Sequence, residues 1–531
     1  MAFKWIAAAC LALLVSQPAI AATDIDARFT VRADAPASVI NRNIYGHFVE
    51  HLGRGVYEGI WVGEDSKIPN TRGIRNDVVE ALKKIDPPVV RWPGGCFADT
   101  YHWRDGIGPR ADRPARANTS WGKVETNAFG THEFMDFVEQ IGAKPYVGVN
   151  MGTSTTAEAR AWMEYMTAPA DSPAAAERVK NGHAQPWDVP YLGVGNESWG
   201  CGGSMRADFY ADQFRLYQTF LHSYSGPKPM MIASGADTDD YLWTEKVMAK
   251  AMKWRERPAP MLYDDPEPLM GGLSLHFYAL TANDWHKKGD AVAFSEDEWF
   301  SNLQRALTLD EVISKHAAIM DHYDPQKQVA MVVDEWGTWF KGTPGQSSLW
   351  QQNTLRDALV AGIELNIFHK HSDRVRMANI AQMVNVLQAM ILTQGDQMIV
   401  TPTYHVFEMY KVHQDATNLP IEINSPRYSY GDQSIAALSV SASRDKAGLI
   451  HVSIVNLDPS KPAHIRANLK GVTIVSATGR VLTAPAMNDH NAFGEPDRFE
   501  PKPLDGISFS GSQVSADLPS KSVTVLTISD K

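Results

Sequence analysis

Cysteine is scarce in this chain of 531 residues, which contains only three: Cys10, Cys96 and Cys201. None of them belongs to a C-x-x-C pair, which argues against a zinc site built from cysteines. Cys96 and Cys201 could form one disulfide, but a protein of this size can also be stabilised by its core alone. The cysteine pattern therefore does not decide whether this disulfide forms.

Clusters of lysine and arginine are absent as well. The formal net charge is −11 and the pI is near 5.9, whereas a nucleic-acid surface needs concentrated positive charge. We therefore exclude nucleic acid as a partner, and a neutral substrate is compatible with this mildly acidic surface. No G-x-G-x-x-G or Walker-type loop marks a nucleotide site.

Long hydrophobic runs are also missing, so the sequence predicts no membrane span. One short apolar run, residues 6–15, follows Lys4 and precedes Ala19-Ile20-Ala21. This order of features predicts a signal peptide over residues 1–21 and export to the periplasm or the medium. The alternative is a buried N-terminal helix.

What the chain does contain is a recurring unit: an apolar run, a polar or glycine-rich loop, and a segment with helical periodicity. The eight apolar runs are residues 43–50, 89–92, 144–150, 191–197, 230–234, 272–278, 329–336 and 363–369. Nearly continuous apolar runs are typical of parallel strands that are covered on both faces. We predict a (β/α)8 TIM barrel over residues 43–397, with a doubly wound open sheet as the alternative.

From about residue 398 the pattern changes to short runs with alternating apolar residues. Ile450, Val452 and Ile454 alternate with other residues, and Val523 and Val525 repeat the pattern. Glycine, proline, asparagine and aspartate lie between these runs, as in a β-sandwich. We predict a C-terminal β-sandwich over residues 398–531, which the strand in the segment 22–42 joins.

Polar residues close the predicted barrel strands, and in this fold the reactive groups lie at those C-terminal ends. The strand ends are Glu50, Arg91, Asn150, Glu197, Ser234, His276, Glu335 and His369. Glycoside hydrolysis needs two carboxylates, one protonated and one ionised. Glu197 and Glu335 are the candidates. Asp334 faces away from Glu335 on the same strand, and Arg91 could keep Glu335 ionised.

Four motifs together resemble glycoside hydrolase family 51, which consists mainly of α-L-arabinofuranosidases. They are Gly195-Asn196-Glu197, the DEWGTW of residues 334–339, the RWPGG of residues 91–95 and the YGHFVEH of residues 45–51. The resemblance covers nearly the whole chain after residue 21. It implies a retaining hydrolase that needs no metal or organic cofactor and releases terminal α-L-arabinofuranosyl groups from arabinan or arabinoxylan. It also implies a homo-oligomer.

The same resemblance assigns residues to roles. Glu197 corresponds to the acid/base and Glu335 to the nucleophile, with Arg91 in support. The sugar-binding residues that it implies are Glu50, Cys96, Asn196, His276, Tyr278, Trp339 and Gln382. Cys96 departs from the asparagine that members carry at this position, so its role is open between a sugar contact, a packed thiol and a disulfide.

Three alternatives remain. The first is an endo-acting β-glucanase of the same family, because a sequence does not reveal whether loops form a pocket or a cleft. The second is a zinc protease, because His47-Phe48-Val49-Glu50-His51 matches H-x-x-E-H, although that chemistry needs a helix and this run reads as a strand. The third is an inactive sugar-binding protein with the sandwich as its binding module.

Overall fold

The computed structural model describes residues 24–252, 270–495 and 497–531. The predicted signal peptide, residues 1–21, lies outside the described residues. Among the residues that are described, no helix has both the length and the apolar character needed to cross a membrane.

The centre of the molecule is a closed barrel of eight parallel strands that follow one another in chain order. After the strand β1, Ile25–Val31, these are β2 (Gly46–Phe48), β3 (Val89–Trp92), β4 (Lys144–Val149), β5 (Tyr191–Val194), β6 (Met230–Asp237), β7 (Gly272–Ala279), β8 (Ala330–Thr338) and β9 (Val375–Ile380). The strands are almost entirely buried, which explains their continuous apolar character. The predicted TIM barrel is confirmed.

Helices surround the barrel between successive strands. They are α1 (Asn76–Ile85), α2 (Thr131–Ile141), α3 (Thr156–Thr167), α4 (Pro173–Lys180), α5 (Ala207–Phe220), α6 (Tyr241–Ala251), α7 (Glu296–Tyr323) and α8 (Leu355–Lys370). Helix α2 ends where Gly142 adopts a left-handed conformation with φ 77°, as a C-terminal glycine commonly does.

The eighth apolar run was assigned the wrong type of element. Residues 363–369 lie inside helix α8, and the eighth strand is β9, Val375–Ile380, which follows it. Helix α8 is buried on all sides from residue 355 to residue 369. It therefore lacks the polar face that identifies a surface helix, and a continuous apolar run does not distinguish a buried helix from a buried strand.

The C-terminal region is rich in strands, as predicted, and forms two large sheets. In one, the strand order is Ile421–Ile423, Ile25–Val31, Ala463–Leu469, Gln513–Leu518 and Ser508–Ser510. In the other it is Thr417–Asn418, Leu438–Arg444, Ile450–Asn456, Ser522–Asp530, Ile474–Leu482 and Lys502–Pro503. The sequence does not predict one further helix, α9 (Pro402–Tyr410), which follows the proposed boundary at residue 397.

Helix α8 joins the barrel to the second sheet. It contacts the barrel strand β8 and also three strands of that sheet, Leu438–Arg444, Ile450–Asn456 and Ser522–Asp530. Gly362 lies at the closest approach, because a Cβ atom added there would lie 2.8 Å from Cγ2 of Val455 and 3.3 Å from the hydroxyl of Tyr410. Both domains therefore share one hydrophobic core.

We expect the substitution Gly362→Ala to destabilise the protein by about 1–3 kcal/mol, because the added methyl group overpacks this contact. This cost exceeds the gain of about 1 kcal/mol that alanine brings inside a helix. The free energy of unfolding, measured by urea titration, tests this. In the double variant with Val455→Ala, the extra cost of Gly362→Ala should largely disappear; an unchanged cost in that background would contradict the packing argument.

Candidate active site at the barrel mouth

Glu197 and Glu335 lie at the C-terminal ends of β5 and β8. Glu335 is one of the last four residues of its strand, whereas Glu197 follows the end of β5 in a tight turn. In that turn Glu197 has φ 40°, and its carbonyl oxygen accepts hydrogen bonds from the backbone amides of Gly200 (2.7 Å) and Gly202 (3.1 Å). A Cβ atom at position 202 would lie 1.9 Å from the carbonyl oxygen of Asn196, so the turn requires glycine there.

The two carboxylates face each other across His276. The Nδ1 atom of His276 lies 2.9 Å from one oxygen of Glu197 and 3.6 Å from one oxygen of Glu335. One oxygen of each carboxylate lies within 4.8 Å of the other. This is compatible with the spacing of about 5–5.5 Å between the carboxyl groups of retaining enzymes and shorter than the roughly 6.5–9.5 Å of inverting ones.

Glu335 is held in its ionised form. Burial alone would raise its pKa, but the nearby charges of His276 and Arg91 and hydrogen bonds from Arg91 and Tyr278 lower it. The Arg91 guanidinium donates to Glu335 at 2.9 Å, and the Tyr278 hydroxyl donates to its other oxygen at 2.8 Å. The combined effect is a lowered pKa, as a nucleophile requires.

Glu197 has the opposite shift. Burial raises its pKa, and the charge of Glu335 raises it further, which outweighs the contact with His276. Burial also disfavours the His276 cation, but the charge of Glu335 and the hydrogen bond to Glu197 raise the pKa of His276 to about 9. Two neighbouring carboxylates thus have pKa values driven apart by their surroundings, the condition for an acid and a nucleophile in one site.

The sugar-binding candidates Glu50 and Gln382 are brought together. One carboxylate oxygen of Glu50 accepts hydrogen bonds from the backbone amide of Phe97 (3.0 Å) and from the indole of Trp121 (2.9 Å). The Gln382 amide group donates to the other oxygen at 3.3 Å, and its oxygen accepts from the Glu50 backbone amide at 3.1 Å. Burial raises the pKa of Glu50 to about 7.

Asn196 is oriented by two neighbours. Its side-chain oxygen accepts a hydrogen bond from Arg91, and its backbone amide donates to the buried carboxylate of Asp99 at 3.0 Å. Asp99 also accepts from the backbone amides of Met151 (2.7 Å) and Gly152 (3.0 Å) after β4. Sequence reasoning missed both Asp99, in the short 3-10 helix Cys96–Thr100, and Trp121, in a loop, because no periodic pattern or strand end distinguishes them.

Cys96 and Cys201 form a disulfide, with their Cα atoms 5.6 Å apart. The bridge joins the loop after β3 to the loop after β5. The Cys201 sulfur lies 3.5 Å from an oxygen of Glu197, so the disulfide forms part of the wall beside this carboxylate. The question that the sequence leaves open for Cys96 is thereby answered for its side chain, which is not a free thiol.

Aromatic rings lie around Tyr278, which contacts the nucleophile. The ring centroid of Trp339 is 5.0 Å from that of Tyr278 and 5.1 Å from that of Trp285, both in edge-to-face geometry. The Lys288 ammonium lies 4.4 Å from the Trp339 ring centroid. Trp285 was missed at the sequence level, since a single tryptophan in a loop has no pattern around it.

One strand-end candidate, His369, lies elsewhere, and Asp334 faces away from the site. His369 is on helix α8, where its ring bonds the Tyr45 hydroxyl at 2.7 Å and the Ser441 hydroxyl at 3.0 Å. Asp334 turns away from the site, as predicted, and accepts hydrogen bonds from Tyr146 (2.8 Å) and Asn379 (2.7 Å).

The H-x-x-E-H sequence does not form a metal site. His47 lies in strand β2, and its ring nitrogens have no hydrogen-bond partner among the described residues; burial lowers its pKa to about 3. His51 bonds Glu125 at 2.8 Å instead. Within the described ranges, the clusters of metal-ligating side chains include Glu197 and exclude His47, Glu50 and His51. This geometry argues against the zinc protease.

A (β/α)8 barrel with two facing carboxylates of opposite pKa shift defines the class, a glycoside hydrolase. Two family models match the chain: "Alpha-L-arabinofuranosidase 1 domain" over residues 81–276 and "Alpha-L-arabinofuranosidase C-terminal domain" over residues 334–522. An "Intracellular exo-alpha-L-arabinofuranosidase" of Bacteroides ovatus is 46% identical, and the match covers 97% of this chain and 99% of that protein.

Solved structures of arabinofuranosidases are also similar to this chain. The arabinofuranosidase of family 51 from Xanthomonas axonopodis pv. citri is 49% identical with a TM-score of 0.91, over 95% of this chain and 100% of that one. An α-L-arabinofuranosidase from Thermotoga maritima, solved as an arabinose complex, is 29% identical with a TM-score of 0.77, over the same shares of the two chains. The chain therefore belongs to the α-L-arabinofuranosidases of glycoside hydrolase family 51.

The predicted export is contradicted by these comparisons. The Bacteroides ovatus relative matches almost the entire chain and is named an intracellular enzyme. The prediction was based on a positive residue, a short apolar run and a small-residue motif. The same order of features was also compatible with the alternative of a buried N-terminal helix, so it did not establish export.

We expect Glu50→Gln to stabilise the protein at pH 8 by about 1–3 kcal/mol. The pKa of Glu50 is about 7 in the folded protein against an ordinary value of 4.5. Above pH 4.5 the carboxyl ionises more readily in the unfolded chain, so it destabilises the fold increasingly up to about pH 7. Thermal unfolding at pH 4 and pH 8 measures the effect, which should nearly vanish at pH 4.

Glu335→Gln is the matched control with the opposite sign. The pKa of Glu335 is lowered on folding, so its ionised form stabilises the protein above the ordinary pKa, and this contribution is lost as the pH falls. The variant should be less stable than the parent at pH 8. If both variants shifted stability in the same direction at pH 8, the electrostatic account of the site would be wrong.

Proposed function

We propose that this protein is a retaining exo-α-L-arabinofuranosidase that releases terminal α-L-arabinofuranosyl groups from arabinan- or arabinoxylan-type saccharides. The observation that supports this most directly is the pairing of Glu197 and Glu335, whose oxygens approach within 4.8 Å and whose pKa values shift in opposite directions. The printed name of the Bacteroides ovatus relative supports the exo mode. The homo-oligomer stays a prediction.

In the first step, the ionised Glu335 attacks the anomeric carbon and forms a glycosyl ester. The bond from that carbon to the leaving oxygen breaks, and Glu197 gives its proton to this oxygen. Tyr278 and Arg91 keep Glu335 aligned through their hydrogen bonds at 2.8 and 2.9 Å. Asn196, which Arg91 and Asp99 hold in place, is the candidate for the sugar 2-hydroxyl.

In the second step, Glu197 accepts a proton from water, which attacks the anomeric carbon and releases Glu335. The change of role follows from electrostatics. Because the charge of Glu335 raises the pKa of Glu197, formation of the ester removes that charge and lowers the pKa of Glu197. The group that was an acid in the first step thereby becomes a base in the second.

The endo-β-glucanase alternative is not favoured. The glucanase-xylanase CelM2 has a TM-score of 0.60 and is only 13% identical, so its likeness concerns the fold alone. The relatives with 46% and 49% identity are both named arabinofuranosidases.

We expect Glu335→Ala to lower kcat by more than about 10³-fold on every substrate, because no other carboxylate can form the ester. Glu197→Ala should lose about 10²–10⁴-fold on natural oligosaccharides. It should lose far less on an aryl arabinofuranoside with a good leaving group, which needs no proton. Steady-state kinetics on the two substrate types make the comparison.

The parent enzyme is the control for stereochemistry. Proton NMR of the first-formed arabinose should show the retained α-anomer, and azide should restore a retained product with Glu197→Ala but not with Glu335→Ala. An inverted first product, or equal losses of Glu197→Ala on both substrates, would refute the assignment.

We expect His276→Gln to move the whole pH profile of kcat/KM to higher pH by about one unit or more. The His276 cation lowers the pKa of Glu335, which sets the acidic limb, and that of Glu197, which sets the basic limb. Its removal raises both values. Tyr278→Phe is the matched control, since it removes only a hydrogen bond to Glu335 and should move the acidic limb alone. Identical profiles for parent and His276→Gln would show that His276 has no such role.

A further inference from the structure

A cavity of about 740 Å³ lies between the barrel and a hairpin of the C-terminal region. Its walls come from three segments: the loop after β7, the N-terminal half of helix α7, and the hairpin of strands Arg427–Tyr430 and Gln433–Ala436. The residues on which the argument depends are Thr281, Gln304, Arg305, Tyr430 and Gln433. None of them belongs to the catalytic group described above.

The hairpin forms a two-stranded sheet separate from both large sheets. It packs on helix α7, where the Tyr428 hydroxyl donates to Glu296 at 3.0 Å and the Tyr428 ring meets Phe300 edge to face at 5.2 Å. The Tyr430 ring lies 6.0 Å from Phe300 and is 40% exposed. An aromatic ring that is supported on one side and exposed to a cavity offers a flat platform for an apolar face of a ligand.

Hydrogen-bonding groups line the same cavity without strong partners. The Thr281 residue is only 4% exposed, and its hydroxyl has no hydrogen-bond partner among the described residues. Arg305 donates to the carbonyl of Tyr278 and to the hydroxyl of Thr238, both at the long distance of 3.4 Å. A guanidinium has five N–H donors, and a buried hydroxyl without a partner is unfavourable. Arg305 therefore has donors left for a ligand, whereas the Thr281 hydroxyl is enclosed in the cavity wall.

The charges of the lining cancel. Lys287 and Arg305 are balanced by Asp297 and Glu298, while Gln304 and Gln433 add neutral amide groups. This balance disfavours phosphate or another anion. A neutral ligand with many hydroxyls and an apolar ring face matches the platform and the free donors. That description is the chemistry of a saccharide.

The cavity is also adjacent to the active site. Arg305 bonds the backbone carbonyl of Tyr278, whose side-chain hydroxyl donates to Glu335. Arg305 and Tyr278 thus connect the cavity wall with Glu335.

We propose that this cavity is a second saccharide site, which binds a neutral segment of the polysaccharide whose arabinofuranosyl groups the active site removes. The inference rests on the proposed function. Tyr430 is the platform, and Arg305 supplies hydrogen bonds to hydroxyl groups.

The test compares a polymer with a small substrate. With soluble arabinoxylan, Tyr430→Ala should raise KM about three- to tenfold, the effect of one lost aromatic contact. With an aryl arabinofuranoside, which is too small to fill both sites, kcat and KM should stay unchanged. Tyr430→Phe is the matched control and should behave as the parent, because it keeps the ring. Equal changes on both substrates, or none on arabinoxylan, would overturn the proposal.

A second variant and a binding assay complete the test. Gln304→Trp fills the cavity from the side of helix α7 and should give the same selective loss on the polymer. Affinity electrophoresis with arabinoxylan, in the inactive Glu335→Gln background, measures binding without turnover. Retardation that disappears with Tyr430→Ala would support the second site even if the proposed activity failed. If the parent enzyme is active and retardation of the Glu335→Gln protein does not depend on Tyr430, the second site alone would be overturned.

Discussion

The site depends on one buried cation, the guanidinium of Arg91. Its N–H groups bond Glu335 and Asn196 and approach Asp334 at 3.4 Å, and its plane lies over the Phe48 ring at 4.4 Å. Through these contacts it connects β3 with strand β2, strand β8 and the turn after β5. A barrel mouth that contains several carboxylates needs such a charge, because unpaired ionised groups are expensive to bury.

Arg91 does not contact the carboxylates of the site equally, and this difference helps to separate their pKa values. Arg91 contacts Glu335 directly and has no hydrogen bond to Glu197 among the described contacts. His276 lies between the carboxylates but is closer to Glu197. Glu50, with neutral hydrogen-bond donors around it, has a pKa raised by burial. Three carboxyl groups in one pocket thus have different proton affinities because their nearest donors differ.

Much of the barrel and of its catalytic site was predictable from the sequence, because barrel strands produce apolar runs and place polar residues at their ends. Seven of the eight runs coincide with strands, and Glu50, Glu197, His276 and Glu335 meet at the mouth. The exception is the eighth run, residues 363–369, which lies in helix α8. Helix α8 is covered by the barrel on one side and by a sheet on the other, so its sequence has no polar face to reveal it.

The parts that were not predictable come from loops. Asp99 fixes Asn196 through backbone amides, and Trp121 reaches Glu50 from a loop over 70 residues away in sequence. The disulfide brings together residues 105 positions apart. Such contacts depend on how loops cross the barrel mouth, and a pattern of hydrophobicity contains no information about that.

The burial of α8 also determines how this enzyme can be divided. Residues of the second sheet, including Val455 and Val523, pack against Gly362 in the helix that precedes the last barrel strand. A gene fragment that ended after the barrel would expose this apolar surface to water and to other chains. The strand-rich region is thus an integral part of the packed core and not a separable appendage.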